Sequence, residues 1–314
     1  MTLLLAINGW DAAPWLTRFQ RLLPDRRVVA AGDAFVPDEV RYVAAWKHTP
    51  GSLSDLPRLQ AIFSLGAGVD HLLSDAALPN VPILRVVDED LTARMSEYVV
   101  MHCLMFLRQA WRYHAQQVAR VWADDRTQPA ARDVRVGVMG MGVLGKDAAR
   151  KLAVVGFDVA GWSRSAQPSE TVQTFAGAEE LPAFLARTDI LVVLMPLTPE
   201  TKGMINGRLI AGLARNGKLG APLIINAGRG GLQVEADILR ALDDGALSSV
   251  TLDVFETEPL PHTSRLWGHP SAHITPHNAA MSDPEAVASA VVAQIIRHES
   301  GEGFRNLVNV QAGY

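Results

Sequence analysis

Three short segments in the C-terminal half each set a candidate ionisable side chain among small residues or beside a proline. They are Ile225-Asn226-Ala227-Gly228-Arg229-Gly230-Gly231, Asp253-Val254-Phe255-Glu256-Thr257-Glu258-Pro259 and Ile274-Thr275-Pro276-His277-Asn278-Ala279-Ala280. Each lies near the C-terminal end of an apolar strand or on the loop beyond it, where open α/β sheets bind ligands. Taken singly, each has an ordinary explanation. Arg229 suits a glycine-rich surface turn, Glu258 a solvated loop, and His277 a satisfied core position. Taken together they form a chemical set. An arginine binds a substrate carboxylate, and a histidine moves a proton on a substrate oxygen. A carboxylate beside that histidine holds its tautomer and raises its pKa.

A fourth segment supplies the nucleotide side. Gly140-Met141-Gly142-Val143-Leu144-Gly145 is G-x-G-x-x-G after an apolar strand and at the start of a breaker-free helix. That context gives the motif its specificity for a dinucleotide. Gly140 permits the tight turn, Gly142 lets backbone approach a pyrophosphate, and Gly145 lets the helix pack on the strand. The pyrophosphate then sits at the positive end of the helix. The alternative is an ordinary glycine-rich turn. The next strand ends Gly161-Trp162-Ser163-Arg164-Ser165, with no acid to hold the ribose hydroxyls of NAD. An arginine between two serines suits a 2′-phosphate, so the expected cofactor is NADP(H) in preference to NAD(H). A solvent-exposed loop arginine is the plainer alternative.

The elements that must carry these residues follow from hydrophobic patterning. Thr2–Asn8 reads as a buried first strand, and a helix follows with Asp11 as cap and Pro14 in its first turn. Apolar runs recur at Val28–Ala31, Tyr42–Trp46 and Leu59–Ser64, giving β-α-β alternation and a parallel sheet. The rhythm restarts beyond Pro129. Val134–Met139, Phe157–Trp162, Ile190–Met195, Leu223–Asn226 and Ser249–Val254 read as strands, and Leu144–Val155 as a helix. A final amphipathic helix runs from Asp283-Pro284 to about Ser300. Between these blocks, Thr92 to Trp122 has no glycine or proline and predicts one long helix. Its middle, Val99–Leu107, is apolar on nearly every face and needs more than one partner surface.

Length and composition agree with this plan. At 314 residues the chain predicts about two domains of ~150 residues. With 48% hydrophobic and 20% charged residues it is neither disordered nor collagen-like. A net charge of −4 and the absence of a basic stripe argue against nucleic-acid and anionic-membrane partners. No uncharged apolar run approaches the ~18 residues of a membrane span. The single cysteine, Cys103, cannot form an intrachain disulfide, and its flanks show no metal-ligand spacing, so no metal is expected. The N-terminal stretch lacks signal-peptide features. The expected compartment is the cytoplasm.

These motifs, with Phe63-Ser64-Leu65-Gly66-Ala67-Gly68-Val69-Asp70, Arg94-Met95-Ser96-Glu97-Tyr98-Val99 and Met195-Pro196-Leu197-Thr198-Pro199-Glu200-Thr201, carry a resemblance across almost the whole chain. The sequence resembles the D-isomer-specific 2-hydroxyacid dehydrogenases, and within them the NADPH-dependent glyoxylate/hydroxypyruvate reductase A group. The resemblance implies an α/β fold of two Rossmann-like, doubly wound parallel-sheet domains with the active site in the cleft between them. Residues 1–98 and 286–314 would form a discontinuous substrate-binding domain, and 99–285 the dinucleotide-binding domain with the dimerisation helix. It also implies a homodimer through helix 92–122, with Trp122 near the partner's active site. Arg229, Glu258 and His277 match the catalytic trio. Asp253 matches the acid at the nicotinamide carboxamide, and Leu194, Pro196, Thr201 and Ala227 line the cofactor cleft. Ala67 and Gly68 match the loop whose N–H groups take the substrate carboxylate. Trp46 resembles a substrate-pocket tryptophan, with strand-end packing as the alternative. The implied reaction is NADPH-dependent reduction of glyoxylate to glycolate and hydroxypyruvate to D-glycerate, with His277 as general acid. The alternatives are the same chemistry on pyruvate or a bulkier 2-keto acid, and a dinucleotide-sensing corepressor without catalysis. Three departures stand out. Ala214–Pro222 is longer than the usual connection, Arg265 replaces a proline, and Tyr98 replaces a histidine with no evident chemical consequence.

Overall fold

The computed structural model describes residues 1–313; Tyr314, the end of the expected substrate domain, lies outside the described residues. The chain divides into two compact units, Met1–Leu91 with Ser282–Tyr314, and Thr92–Met281. The sequence reading divides it instead after Tyr98 and after Glu285. The first difference arises because the long helix begins within the first unit.

The first unit is built on β1 (Thr2–Ile7), β2 (Arg27–Ala30), β3 (Val40–Trp46), β4 (Ala61–Ser64) and β5 (Ile83–Leu84). They form one parallel sheet in the order β2-β1-β3-β4-β5. Alternation along the strands sends Leu3, Leu5, Tyr42 and Phe63 to one face. There they pack on Trp15 and Phe19 of α1 (Ala13–Leu22) and on Val287, Val291 and Ile295 of α9 (Pro284–Glu299). Leu4, Val43 and Ile62 face the other way, onto Leu53 and onto Leu72 of α2 (Asp70–Leu73). Both faces are thus apolar, as a parallel sheet covered on both sides demands. Asp283 caps α9, its Oδ1 accepting the Glu285 N–H at 3.0 Å. Asp11, expected as the cap of α1, stands one residue before the observed N-cap, Ala12, and its Oδ1 accepts the Ala13 N–H at 3.0 Å.

In the second unit, β6 (Arg135–Met139), β7 (Asp158–Ser163), β8 (Gln173–Ala176), β9 (Ile190–Val193), β10 (Leu223–Asn226), β11 (Ser249–Leu252) and β12 (Ala272–Ile274) form the sheet. They are parallel, in the order β12-β11-β10-β9-β6-β7-β8. The chain winds outward from β6 to β8 and returns to the other side of β6 with β9, so the topological switch lies between β6 and β9. Helices α5 (Val143–Val155), α6 (Gly177–Ala186), α7 (Gly207–Gly212) and α8 (Glu235–Asp243) connect the strands. Among the described residues no helix is long and apolar enough to cross a membrane.

The expected single helix over 92–122 is two helices, α3 (Glu89–Leu107) and α4 (Ala110–Ala119). Gln109 breaks it by adopting a left-handed conformation with φ 55°. The side chain of Gln109 makes that turn worthwhile: its Nε2 donates to Asp125 Oδ2 at 2.7 Å, and its Oε1 accepts from Arg112 at 2.8 Å. Trp122 therefore lies beyond α4 and not at a helix end, and it is fully exposed in the single chain. One face of α3, with Val99, Cys103, Phe106 and Leu107, is buried on the sheet. The opposite face, with Val100, Met101, Leu104 and Met105 between Glu97 and Arg108, forms a shallow apolar groove.

Candidate active site

The three ionisable segments are brought to one edge by strand register. Asn226 pairs with Leu252, and Leu252 pairs with Ile274, so β10, β11 and β12 end level with one another. The next residues, Ala227, Asp253 and Thr275, open the loops that carry Arg229, Glu258 and His277.

His277 and Glu258 meet directly. The Nδ1–H of His277 donates to Glu258 Oε2 at 2.8 Å. The other carboxylate oxygen, Oε1, accepts the Phe255 N–H at 3.1 Å, which fixes the acid at the ring. The imidazole side chain is 44% exposed. With Nδ1 committed, Nε2 is the nitrogen that remains for a substrate. His277 itself adopts a left-handed conformation, φ 52°, which disfavours a side chain with a Cβ.

Asp253, by contrast, is buried at 1% exposure. Its Oδ1 accepts from Thr275 Oγ1 at 2.6 Å and Asn278 N–H at 2.9 Å, and Oδ2 accepts the Ala279 N–H at 3.0 Å. Its main-chain oxygen accepts the His277 N–H at 2.8 Å. The acid assigned to the cofactor on sequence grounds is therefore also the anchor of the His277 loop. Tyr98 joins this network, its hydroxyl 2.7 Å from Thr275 Oγ1. Neither Tyr98 nor Thr275 was marked by the sequence as functional; a hydroxyl two residues before the histidine was the available signal.

Arg229 stands on the neighbouring loop and donates to Gly228 O at 2.8 Å. That loop is held from beneath. Asn226 Nδ2 donates to Gln233 Oε1 at 2.8 Å, Asn226 Oδ1 accepts the Gly228 N–H at 3.0 Å, and Gln233 Nε2 donates to Val254 O at 3.0 Å. These buried amides tie the arginine loop to the strand that carries Asp253, and sequence reasoning missed Gln233.

The phosphate loop occupies the switch point, between β6 and α5. Gly140 has φ 102°, and a Cβ on Gly145 would lie 1.9 Å from Gly140 O, so the helix can approach the strand only without one. Around Gly142 such a Cβ would meet nothing within 4 Å, and α5 starts with no side-chain cap. An uncapped helix start with open space before it fits a pyrophosphate. Met141 is buried at this turn, Leu144 is half-buried and Val143 exposed. At the end of β7, Ser163 Oγ donates to Ser165 O at 2.7 Å, turning the loop so that Arg164 and Ser165 stand in solvent. Thr198 Oγ1 donates to Glu200 Oε2 at 2.8 Å; this bond, aided by the Arg164 charge, holds Glu200 below the usual carboxylate range. Leu194 and Pro196 follow β9, and Thr201 Oγ1 donates back to Pro196 O at 2.8 Å. Ala227 is buried behind Arg229. Arg265 donates to the Asp243 carboxylate at 3.1 Å, which accounts for its place in this loop.

In the first unit, Trp46 ends β3 and is stacked on Trp10 at 4.3 Å between centroids, with Trp10 stacked in turn on Trp15 at 5.9 Å. His71 Nδ1 accepts the Lys47 N–H at 3.2 Å, and its Nε2 faces Ser64 Oγ at 3.2 Å. Ser64 Oγ donates to Gly68 O at 2.9 Å, so one serine and one histidine fix both the turn after Trp46 and the Ala67-Gly68 loop. His71 was not marked by the sequence.

The family model for the NAD binding domain of D-isomer specific 2-hydroxyacid dehydrogenase matches residues 100–279. The chain is 39% identical to a glyoxylate/hydroxypyruvate reductase A of Serratia proteamaculans, over 97% of each chain. Among solved structures, it resembles an NADPH-dependent glyoxylate/hydroxypyruvate reductase of Sinorhizobium meliloti in complex with NADP and sulfate. That match has TM-score 0.94 and 48% identity, over 100% of this chain and 99% of the other. A probable 2-hydroxyacid dehydrogenase of Rhizobium etli, in complex with NADP, HEPES and L(+)-tartaric acid, matches with TM-score 0.95 and 44% identity over the same shares.

Proposed function

The chain belongs to the D-isomer-specific 2-hydroxyacid dehydrogenase family, and from that premise we propose that it reduces small 2-keto acids, glyoxylate and hydroxypyruvate first, with NADPH. The observation that carries the proposal is the His277–Glu258 pair at 2.8 Å, on the same sheet edge as Arg229 and in the same unit as the uncapped phosphate loop. The bound cofactor supplies the hydride. Arg229 holds the substrate carboxylate and polarises the adjacent ketone. His277 donates a proton from Nε2 to the ketone oxygen as it becomes an alkoxide, because Nδ1 is committed to Glu258. Glu258 keeps the ring oriented and faces its positive charge. Much of the rate gain is positional, from holding ketone and acid in one geometry.

We assign the pyrophosphate to the loop from Gly140 to Gly145, with Met141, Gly142, Val143 and Leu144, and the 2′-phosphate to Ser163, Arg164 and Ser165. Leu194, Pro196, Thr201, Ala227 and Asp253 take the remainder of the cofactor. In the first unit Trp46, Ala67 and Gly68 are assigned to the substrate. The reading takes the cytoplasm as compartment and a twofold homodimer as assembly. The apolar groove on α3 supports the latter, since an exposed patch of that kind favours a second copy. The expected mass is then about 68 kDa, twice 34.0 kDa. Sedimentation as an active monomer would remove the dimer.

The direct test is kcat/KM for glyoxylate, hydroxypyruvate, pyruvate and phenylpyruvate, each with NADPH and NADH. Glyoxylate and hydroxypyruvate with NADPH should lead. A lead by phenylpyruvate would keep the reaction class and replace the substrate.

A further inference from the structure

We propose that Tyr98 and Thr275 are positioning residues for His277, acting through the buried Asp253 carboxylate. The proposal rests on the functional reading above and concerns how the acid of that reaction is held in place.

The direction of the hydrogen bonds follows from proton counting. The carboxylate of Asp253 can only accept, so the single hydroxyl proton of Thr275 goes to it, at 2.6 Å. The lone pairs of Thr275 Oγ1 then accept, and Tyr98 must be the donor, at 2.7 Å. Tyr98–Thr275–Asp253 is therefore a one-way chain that runs from donor to acceptor, whose members polarise one another in a part-buried setting. Asp253 ends the chain on backbone. It accepts the N–H groups of Asn278 and Ala279, and its own carbonyl accepts the N–H of His277. The carboxylate thus grips the two residues after the histidine, while the strand that bears it grips the histidine itself.

This matters because His277 has φ 52°. A non-glycine residue persists there only when its surroundings over-determine it. The far end of the chain is firmly set. Tyr98 is 8% exposed, its ring lies 4.3 Å from that of His102, and its helix is buried through Val99, Cys103 and Phe106. Helix α3 is in this way a fixed reference for a loop that begins 177 residues later in the sequence. Loosening the chain would let the His277 backbone relax and carry the ring off its line to Glu258.

The test compares Tyr98→Phe, Thr275→Val and Thr275→Ser with the wild type, by steady-state reduction of glyoxylate with NADPH in H2O and D2O. Tyr98→Phe retains the ring and its packing, so it reads the hydrogen bond alone. It should lower kcat by about 3–10-fold. Thr275→Val, which removes one of the three donors to the carboxylate and the acceptor of the Tyr98 hydroxyl, should lower kcat by about 10–100-fold. Thr275→Ser keeps the hydroxyl and should stay within about threefold of the wild type. In Tyr98→Phe, which leaves the donors to Asp253 in place, KM for NADPH should move by less than about twofold, and in both impaired variants the solvent isotope effect on kcat should rise as proton transfer becomes limiting. A general loss of fold would not raise that isotope effect. Wild-type kcat in both Tyr98→Phe and Thr275→Val, or a fall in kcat with no rise in isotope effect, would overturn the proposal. The Nδ1 proton resonance of His277 gives a readout that needs no turnover. It should weaken or shift in Thr275→Val and be kept in Thr275→Ser. If the wild type reduces no 2-keto acid, the functional reading fails, while this resonance still decides whether Tyr98 and Thr275 hold the histidine.

Discussion

The C-terminal edges of the two sheets are held by different physics. In the second unit the edge is polar and its loops are tied by amide and carboxylate hydrogen bonds. Asn226 and Gln233 fix the Arg229 loop, and Asp253 fixes the His277 loop. In the first unit the edge is aromatic. Trp46 rests on Trp10 and Trp15, and a single Ser64–His71 contact sets the adjoining turns. Directional bonds hold a group to within tenths of an ångström, which proton transfer requires. Stacked rings hold a surface, which is sufficient for shape. Under the proposed function this contrast corresponds to chemistry in the second unit and substrate fit in the first, and each half of that proposal can be broken separately.

The largest effect is expected at the proton donor. His277→Ala should lower kcat by ~10²–10⁴-fold and leave KM for NADPH nearly unchanged. A variant that keeps its kcat would move the acid elsewhere and erase the distinction between the two edges.

The response to acid should also differ between the units. Behind the polar edge, burial pushes His102 down to about 4, and burial with the nearby His102 pushes His273 down to about 4. His102 is 3% exposed with no partner at Nε2 among the described residues, and His273 is stacked on Trp111 at 4.0 Å. Both are neutral when folded and free to protonate when unfolded, near ~6.5. The unfolded chain therefore binds more protons below that pH. Stability of the second unit should fall as pH drops from about 6.5 to about 4, by up to about 3 kcal/mol per histidine, then level off. In the first unit the buried Asp75 is held below the usual carboxylate range by the Gly51 N–H and by His48. Its contribution is present above ~3.9 and is lost only as pH falls further. Hydrogen exchange followed from pH 7 to 4 should show the second unit opening first. His273→Phe, which keeps the stack and removes the titration, should flatten that response; an unchanged slope would exclude His273 as its source.

Cofactor binding is expected to respond next. Arg164→Ala removes the charge assigned to the 2′-phosphate. A hydrogen bond to a charged group contributes ~1.5–3 kcal/mol, so KM for NADPH should rise about 10–150-fold with little change for NADH. Equal losses with both cofactors would make Arg164 structural, the counter-charge to Glu200.

How much of this was legible follows from the range of each interaction. Most of the strands, the phosphate loop and the trio are local patterns, and the structure places them on elements that the sequence predicts; the short strands β5, β8 and β12, of two to four residues, carry too little pattern and were not read. The break at Gln109 was not legible, because no glycine or proline marks it and the side chain that stabilises it reaches forward to Asp125. The bond from Tyr98 to Thr275 was hidden for the same reason on a larger scale. His71 was missed because a lone histidine in a short helix carries no spacing signal; its partners come from two other strand ends. What escaped is the support of the candidate site, which is non-local; what was legible is its set of residues, which is local.

The smallest effect is expected at the aromatic edge, and it tests the other half of the contrast. Trp10 backs Trp46, with ring planes 13° apart. Such a stacked pair contributes ~0.5–1.5 kcal/mol beyond burial. Trp10→Leu should therefore let the Trp46 ring reorient and raise KM for the 2-keto acid by about 2–10-fold. Because proton donor and cofactor loop lie in the other unit, kcat and KM for NADPH should stay within about twofold. Since the lost contact is a surface and not a bond, the penalty should vary with substrate size, being greatest for the side chain that leans on the Trp46 ring. A fall in kcat that is equal for every 2-keto acid would mean that the aromatic stack serves the chemical step, and the division of labour between the two edges would be wrong.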